Sequence, residues 1–342
     1  MIAIIADDFS GAAELAGIAA ARGFKAEVQT QFDPNSQAEV IAVDTDTRLR
    51  SETQARRIVG EVTRRILASQ PAWIYKKTDS VLRGHIRAEI EAILDVTGQH
   101  DCLLIPANPS KGRVVHIGRY FVNGVPLHET VFAHDPDFPR HSAVVKELLG
   151  ESDRIRVPDV LTTQDLPESH DASTLAAGAA DFFASLLALS GHERTHVEPQ
   201  TEKATLLLCG SLAAWDSGRA DEMQKRGFLV QTIDRPLSPL IWQQTRKLML
   251  AIGHPPNADT ATLTEKLIAA ALPLVTDRSD LRIALEGGAT AIAFIRRMGW
   301  TRFEVIPEGL TGIGTLRPPG GPILCVKPGS YPWPKGCFDC QD

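Results

Sequence analysis

Three stretches in the N-terminal half of this 342-residue chain carry the polar side chains from which an active centre could be built. The first is ADDFSG, residues 6–11, at the end of an opening apolar run. In open parallel sheets ligands bind outside the carboxyl ends of the strands, so Asp7 and Asp8 emerge where function concentrates. Ser10, Gly11 and a helix start follow, and the amides and dipole of such a start favour anions. One aspartate is enough to cap the helix, which leaves the other for a ligand. The second stretch is KKTDSVLRG, residues 76–84, with Lys76, Lys77, Asp79, Ser80, Arg83 and Gly84 between a strand and a helix. Arg83 can grip a carboxylate through a bidentate fork, as lysine cannot. Asp79 can accept the proton of a substrate hydroxyl or orient that hydroxyl. A solvated charged loop is the bland alternative, and the strand-to-helix position with Gly84 weighs against it. The third stretch, residues 106–130, places Asn108, Lys111, Gly112 and Arg113 on a loop after an apolar strand. Lys111 and Arg113 are candidate anion contacts, whereas Asn108-Pro109 by itself is turn chemistry.

The C-terminal half offers glycines instead of charges. LLLCGS puts Gly210-Ser211 at a strand end, ALEGGATA puts Gly287, Gly288, Ala289 and Thr290 between a strand and a helix, and VKPGS puts Gly329 after another apolar run. Glycines before a helix let backbone approach phosphate closely, and the helix terminus adds partial positive charge. None of the three is a G-x-x-x-x-G-K-[ST] or G-x-G-x-x-G sequence. Each alone is a weak signal, and three at strand ends in one domain weigh more together.

The elements that must position these groups follow from apolar patterning. MIAIIADD, FKAEVQT, VIAVDTDTR, WIYKKTDS and CLLIPAN read as strands. Helices are predicted over GAAELAGIAAARG, over 84–97, and over the stretch opened by the capping-box pair Ser51 and Gln54, with Ile58, Val62 and Ile66 at helical spacing. Strand–helix alternation of this kind predicts mainly parallel sheets covered on both faces. Asn123-Gly124 within FVNGVPL predicts a two-residue hairpin. A helix over HSAVVKELLG, a short strand IRVPDV and an alanine-rich helix near 173–190 come next, before a polar linker at 190–203. The pattern then restarts: TLLLCGS, a helix through 217–227, FLVQTID, two helices spanning 239–277, LRIALEGG, a helix over 289–299, and TRFEVIPEG.

Composition sets the outer bounds. The length favours two domains, and 43% hydrophobic content is ordinary for a globular chain. A formal charge of −6 weighs against a nucleic-acid partner, which would show a basic face. The N-terminus lacks the basic region of a signal peptide, and no apolar run reaches the length of a membrane helix, so a cytoplasmic protein with no membrane partner is expected. Cys102, Cys209 and Cys325 lie in apolar runs and behave as small hydrophobes. Cys337 and Cys340 form a lone C-x-x-C without the further ligands of a zinc site.

Taken in order, these groups resemble the four-carbon acid sugar kinase family over nearly the whole chain. The resemblance is most specific at ADDFSGA, KKTDSVLRG and GR…G…YFVNGVPLHET…DPDFP…S. It implies a substrate-binding domain over 1–200, a nucleotide-binding domain over 201–342, and ATP-dependent phosphorylation of a hydroxyl on threonate-, erythronate- or 3-oxo-tetronate-like acids, with Mg²⁺. By that resemblance Asp8, Lys77, Asp79, Arg83 and Gly84 line the sugar-acid site, and Ser211, Gly287, Gly288, Ala289, Thr290 and Gly329 contact the nucleotide. The chain departs from the family's pattern at Ala289, where an Asp is usual, at KPGSYPWPKG, where a KxGxFG-like turn is usual, and at Ser10, which keeps the hydroxyl of the usual threonine.

The expected protein is therefore of the α/β class, with two α/β domains, mainly parallel sheets flanked by helices, and a ligand cleft between them. It would bind a sugar acid and ATP and could form a homodimer. Asp7, Ser10, Lys77, Ser80, Arg83, Gly84, Asn108 and Arg113 are the candidate substrate contacts. Asp79 or Asp8 would orient or deprotonate the acceptor hydroxyl, and the sequence leaves the two equivalent. The competing reading is a sugar-acid binding or regulatory protein without ATP turnover, favoured by Ala289 and the altered C-terminal turn.

Overall fold

The computed structural model describes residues 1–135, 137–169, 171–188, 204–235, 245–253, 259–276, 278–307, 312–327, 329, 332–334 and 336–338. The chain divides into two compact units, Met1–Glu193 and Arg194–Asp342. The linker expected at 190–203 lies outside the described residues.

The first unit begins with β1 (Ile2–Ala6), α1 (Phe9–Ala21), β2 (Ala26–Gln29), β3 (Val40–Asp44), α2 (Glu52–Leu67), β4 (Trp73–Lys77), α3 (Ile86–Thr97) and β5 (Asp101–Ile105). It continues with β6 (Arg113–His116), β7 (Arg119–Val122), β8 (Val125–Pro126), α4 (Val145–Leu149), β9 (Ile155–Arg156), β10 (Thr174–Gly178) and α5 (Ala180–Leu186). Its main sheet runs β2-β3-β1-β4-β10-β5-β9, every pair parallel. A parallel strand covered on both faces needs an unbroken apolar run, and IAIIA of β1 is buried at every position. Alanine dominates the packed side of α1, with Ala12, Ala13, Ala16, Ala19 and Ala20 all buried. In α2 the capping box forms as expected: Gln54 N donates to Ser51 Oγ and Ser51 N to Gln54 Oε1. The buried stripe runs through Ala55, Val59, Thr63 and Ile66, with Ile58 and Val62 half-buried at its edge.

A separate antiparallel sheet, β6-β7-β8, carries the expected hairpin. Val122 pairs with Val125 across Asn123 and Gly124, whose φ values of 51° and 80° are the left-handed pair that this turn demands.

Residues near 173–190, expected as one alanine-rich helix, instead form β10 followed by the short α5. Alanine's helix preference over other residues is only tenths of a kcal/mol. Hydrogen bonding to β4 and β5 on both sides outweighs it. Gly178 ends β10 at φ 154°, and a Cβ there would lie 2.1 Å from the Ile105 carbonyl oxygen. Small residues at this point let two strands and the α5 entry converge.

The second unit contains β11 (Thr205–Cys209), α6 (Leu212–Asp216), α7 (Arg219–Lys225), β12 (Leu229–Thr232) and β13 (Lys247–Ala251). It ends with α8 (Thr260–Val275), β14 (Arg282–Glu286), α9 (Gly288–Met298), β15 (Arg302–Val305), β16 (Gly314–Arg317) and β17 (Ile323–Lys327). The strands run β12-β13-β11-β14-β17-β16-β15, parallel through β17, with β16 antiparallel to both its neighbours. Within the span 239–277, expected as two helices, the described residues form strand β13 and helix α8, while 239–244, 254–258 and 277 lie outside them. The unbranched Leu and Met of KLMLA suit a helix, but their place between β12 and β11 decides the outcome. Both units are thus α/β, with mostly parallel sheets flanked by helices. Among the described residues no helix is long and apolar enough to cross a membrane.

Candidate functional site

In the first unit β3, β1 and β4 lie side by side in register, with Ala6 paired to both Asp44 and Lys77. The chain segments leaving these strands therefore start at one edge. Arg48 draws two of them together. Its Nε donates to Asp7 Oδ2 at 2.7 Å and its Nη2 to Asp7 Oδ1 at 3.1 Å, while Nη2 also lies 2.8 Å from Asp8 Oδ1 and 3.7 Å from Asp79 Oδ1. Burial alone would raise the Asp7 carboxyl, but Arg48 and Lys76 hold it below the usual carboxylate range. Burial would lower the Arg48 guanidinium, and Asp7, Asp8 and Asp79 hold it well above its usual value.

Asp79 is saturated. Its Oδ2 accepts from Val81 N, Arg83 N and Arg83 Nε, and its Oδ1 from Arg83 Nη2 at 2.9 Å. Burial works against its charge, yet Arg83 and then Arg48 keep it well below the usual range. The Arg83 fork expected to grip a ligand is thus closed on Asp79, and its Nη1 reaches Asp135 Oδ2 at 3.2 Å. Gly84 follows at φ 86°, and a Cβ there would come within 3.2 Å of Asp7 Oδ2.

Asp8 caps α1, accepting from Gly11 N at 3.0 Å and from Ser10 Oγ. Lys77 and Asp8 border the same space: a Cβ on Gly11 would lie 2.8 Å from Asp8 Oδ1 and 3.3 Å from Lys77 Nζ. Lys77 Nζ donates to the Thr78 carbonyl and sits 3.8 Å from Glu14. The neighbouring Lys76 points to the opposite face, where its Nζ meets Glu89 at 2.6 Å, fully buried. Glu89 also accepts from Thr47 Oγ1. Burial raises the Glu14 carboxyl, and the charges of Lys77, Lys111 and Arg113 oppose the shift. Ser80 Oγ accepts from Arg113 Nη1, and its carbonyl accepts from Tyr120. Arg113 also lies over the Phe132 ring. Asn108 Oδ1 accepts from Asp181 N at 3.0 Å, pinning the start of α5.

Sequence reasoning missed Arg48, Glu14, Asp135 and Asp44. Arg48 was within reach of the strand-exit rule, since it follows β3 as closely as Arg83 follows β4. Asp44 ends β3 and is 3% exposed; its Oδ1 accepts from Asp46 N, and its Oδ2 has no hydrogen-bond partner among the described residues. Burial pushes this carboxyl well above the usual range, with Asp46, Asp8 and Asp7 adding to the effect against the Asp46 amide. A carboxyl whose pKa is raised by folding costs stability progressively as pH climbs above its unfolded value, about 4. Asp44→Asn keeps the Oδ1 acceptor and does not titrate. Its melting temperature should exceed the wild type's near pH 8, with the gain shrinking towards pH 4. A loss that grows as pH rises above about 4 would show that Asp44 stabilises the fold as an anion.

In the second unit β11, β14 and β17 are also in register, Glu286 pairing with Cys209 on one side and Lys327 on the other. The three glycine turns of the sequence meet just beyond them. A Cβ on Gly210 would lie 2.1 Å from Thr290 Oγ1, and one on Gly329 would lie 2.7 Å from Ser211 Oγ and 3.8 Å from Gly287 Cα. Gly287, at φ 101°, is the N-cap of α9, with no side-chain cap and no acidic residue in the first turn. The leading amides of Gly288, Ala289 and Thr290 are those that a helix cannot satisfy internally. Ser211 Oγ accepts from Ala214 N at 3.2 Å. Together these residues form a glycine-walled cradle with helix-terminal amides, suited to a phosphate group.

Beneath the turns lies a buried ion cluster. Glu286 Oε1 accepts from Lys327 Nζ at 2.8 Å and from Arg219 Nε at 3.0 Å. Arg219 also pairs with Glu222. Burial pushes the Lys327 ammonium down, and Glu286 opposes the shift. Among the described residues no three His, Cys, Asp or Glu side chains are grouped to hold a metal ion. Among the described residues Cys337 is a buried thiol in no disulfide, and Cys340 lies outside them.

The class defined by this architecture is an α/β protein with one polar centre at the carboxyl edge of each sheet, charged in the first unit and glycine-lined in the second. The chain belongs to the family of the sugar-binding N-terminal domain, whose profile matches residues 2–199. The resemblance to four-carbon acid sugar kinases is borne out by its curated relatives. A D-erythronate kinase of Heliobacterium modesticaldum is 34% identical over 155 residues, 44% of this chain and 35% of that protein. A D-threonate kinase of Salmonella typhimurium is 33% identical over 181 residues, 52% of this chain and 43% of that protein. The chain thus matches less than half the length of these two relatives. The fold is shared with a solved Salmonella typhimurium structure at a TM-score of 0.77 and 18% identity, covering 98% of this chain and 97% of that one. A Bordetella bronchiseptica domain, solved with bound citrate as a domain-swapped dimer, matches at a TM-score of 0.51 and 24% identity, covering 97% of this chain and 95% of that one.

Proposed function

We propose that this protein is an ATP-dependent kinase that phosphorylates a hydroxyl of a four-carbon sugar acid. The observation that carries the reading is the meeting of Ser211, Gly287, Thr290 and Gly329 around an uncapped helix terminus in one unit, while paired carboxylates and cations crowd a strand edge in the other. The kinase names of the relatives that match the first unit support it. The citrate bound by the Bordetella relative, itself a hydroxy acid, supports an acid ligand, and that relative's dimer supports a homodimer here.

The acid would lie against Asp7, Asp8, Ser10, Lys77, Ser80, Arg83, Gly84, Asn108 and Arg113, with Lys77 and Arg113 facing its carboxylate and Arg83 held on Asp79. A carboxylate offers about four lone-pair sites. Asp79 takes three donors on Oδ2 and one on Oδ1, two of the four from backbone amides and two from the Arg83 guanidinium, so its main part is to hold the loop. Asp8 receives Gly11 N, Ser10 Oγ and Arg48, which leaves room for one more donor. Asp8 is therefore the group that orients the acceptor hydroxyl. The cradle residues Ser211, Gly287, Gly288, Ala289, Thr290 and Gly329 fit the phosphates of ATP, with glycines that let the three turns approach one another and helix-terminal amides to donate. ATP with Mg²⁺ supplies the phosphoryl group and neutralises its charge, the metal being held mainly by phosphate oxygens and water.

Purified protein should bind Mg-ATP in calorimetry and release ADP only when D-threonate, D-erythronate or a similar acid is present. Acid binding without any ATP affinity at millimolar concentration would replace the kinase by a sugar-acid binding protein, with Ala289 the first residue to examine.

A further inference from the structure

We infer that Glu286, Lys327 and Arg219 form a positioning triad that holds the three glycine turns of the second unit in the register at which phosphate binds. The inference rests on reading that edge as the nucleotide site.

The three side chains come from three elements, β14, β17 and α7, and are almost wholly excluded from water. Glu286 bridges the other two, its Oε1 at 2.8 Å to Lys327 Nζ and 3.0 Å to Arg219 Nε, with Oε2 at 3.2 Å from the same Nε. On the same face of the sheet lie Cys209, Ala284 and Cys325, all in an apolar cluster. Apolar side chains of similar volume would serve stability at least as well as buried ions do. Something other than stability is therefore gained by charge at this point. Glu286 is followed at once by Gly287, and Lys327 stands two residues before Gly329. The backbone repeats the link, since Gly287 N donates to the Lys327 carbonyl at 2.9 Å. A shift of either side chain would move the α9 N-cap relative to Gly329 and Ser211. The two buried cations also lie at the root of the cradle, where low polarisability strengthens their pull on incoming phosphate.

The test compares wild type with the double variant Glu286→Gln/Lys327→Met, which removes both charges and keeps the volume. The free protein should melt within a few degrees of wild type, and titration with Mg-ATP should give a Kd at least tenfold weaker. Binding of D-threonate or D-erythronate should be unchanged. Lys327→Arg alone, which keeps the charge beside Glu286, should restore most of the affinity. If the double variant does not fold, Arg219→Lys is titrated instead, and a weaker Kd is again expected because the guanidinium's second contact to Glu286 is lost. Unchanged Mg-ATP affinity in a folded variant overturns the triad alone. Failure of the wild type to bind Mg-ATP overturns the nucleotide site and the triad together.

Discussion

Asp8→Asn is expected to lower turnover about 10²–10⁴-fold, the usual loss when a group that orients or accepts a transferred proton is removed. The fold should survive, because Asn caps a helix as well as Asp and its Oδ1 can still accept from Gly11 N. What disappears is the negative charge between Arg48 and the substrate hydroxyl. The Michaelis constant for ATP should hardly change. The measurement is ADP release at saturating ATP and acid, with thermal unfolding as the control. Full activity in a folded Asp8→Asn protein would remove Asp8 from the reaction. Asp79→Asn should behave differently. That side chain holds two backbone amides and both arms of Arg83, so its replacement should lower the melting temperature as well as the rate.

Gly287→Ala should weaken Mg-ATP binding about 10- to 100-fold, the equivalent of the 1–3 kcal/mol that a strained backbone position typically costs. Steric exclusion is not the cause. An added Cβ would meet Thr290 Oγ1 at 3.7 Å and Ser211 Cβ at 3.9 Å, both ordinary contacts. The cause is the backbone, which sits at φ 101° and ψ 137°, a combination that L side chains rarely adopt. To relieve that strain the peptide must rotate, and the first amides of α9 rotate with it. Calorimetry with Mg-ATP measures the effect, while acid affinity in the same preparation reports whether the first unit is undisturbed. Equal loss of both ligands would indicate general damage rather than a displaced phosphate cradle.

Much of this chemistry was legible in the sequence because it sits where chain order and space coincide. Asp7 and Asp8 leave β1, Lys77 and Asp79 leave β4, and the glycines leave β11, β14 and β17, so the strand-exit rule finds them all. Arg48 escaped because its importance lies in partners 40 and 41 residues away along the chain, Asp8 and Asp7. Glu14 and Asp135 escaped for the same reason, as each is defined by cations from other loops. The expectation that Arg83 would be open to a ligand treated it as a lone cation and overlooked a carboxylate four residues earlier. The strands β10 and β13 were read as helices because Ala, Leu and Met report helix preference locally. Neither stretch says by itself that it will lie between two neighbours.

The adjacent lysines of β4 also bear on how the chain finds its native pairing. Side chains alternate across a strand, so Lys76 meets Glu89 on one face while Lys77 borders Asp8 and Glu14 on the other. A slip of β4 by one residue exchanges the faces of its whole side-chain set. With Lys77 then in the place of Lys76, Thr78 would stand where Lys77 borders Asp8 and Glu14, Lys76 would be driven into the aromatic place of Tyr75, and Tyr75 would be pulled from Phe182 and Phe183. An uncompensated buried charge is among the costliest defects a fold can carry. Tyr75 and the two lysines, each with its own partners, thus act together as a proofreading mark for strand alignment. Mispaired intermediates are penalised before any ligand is present, and the site is assembled in the act of folding correctly.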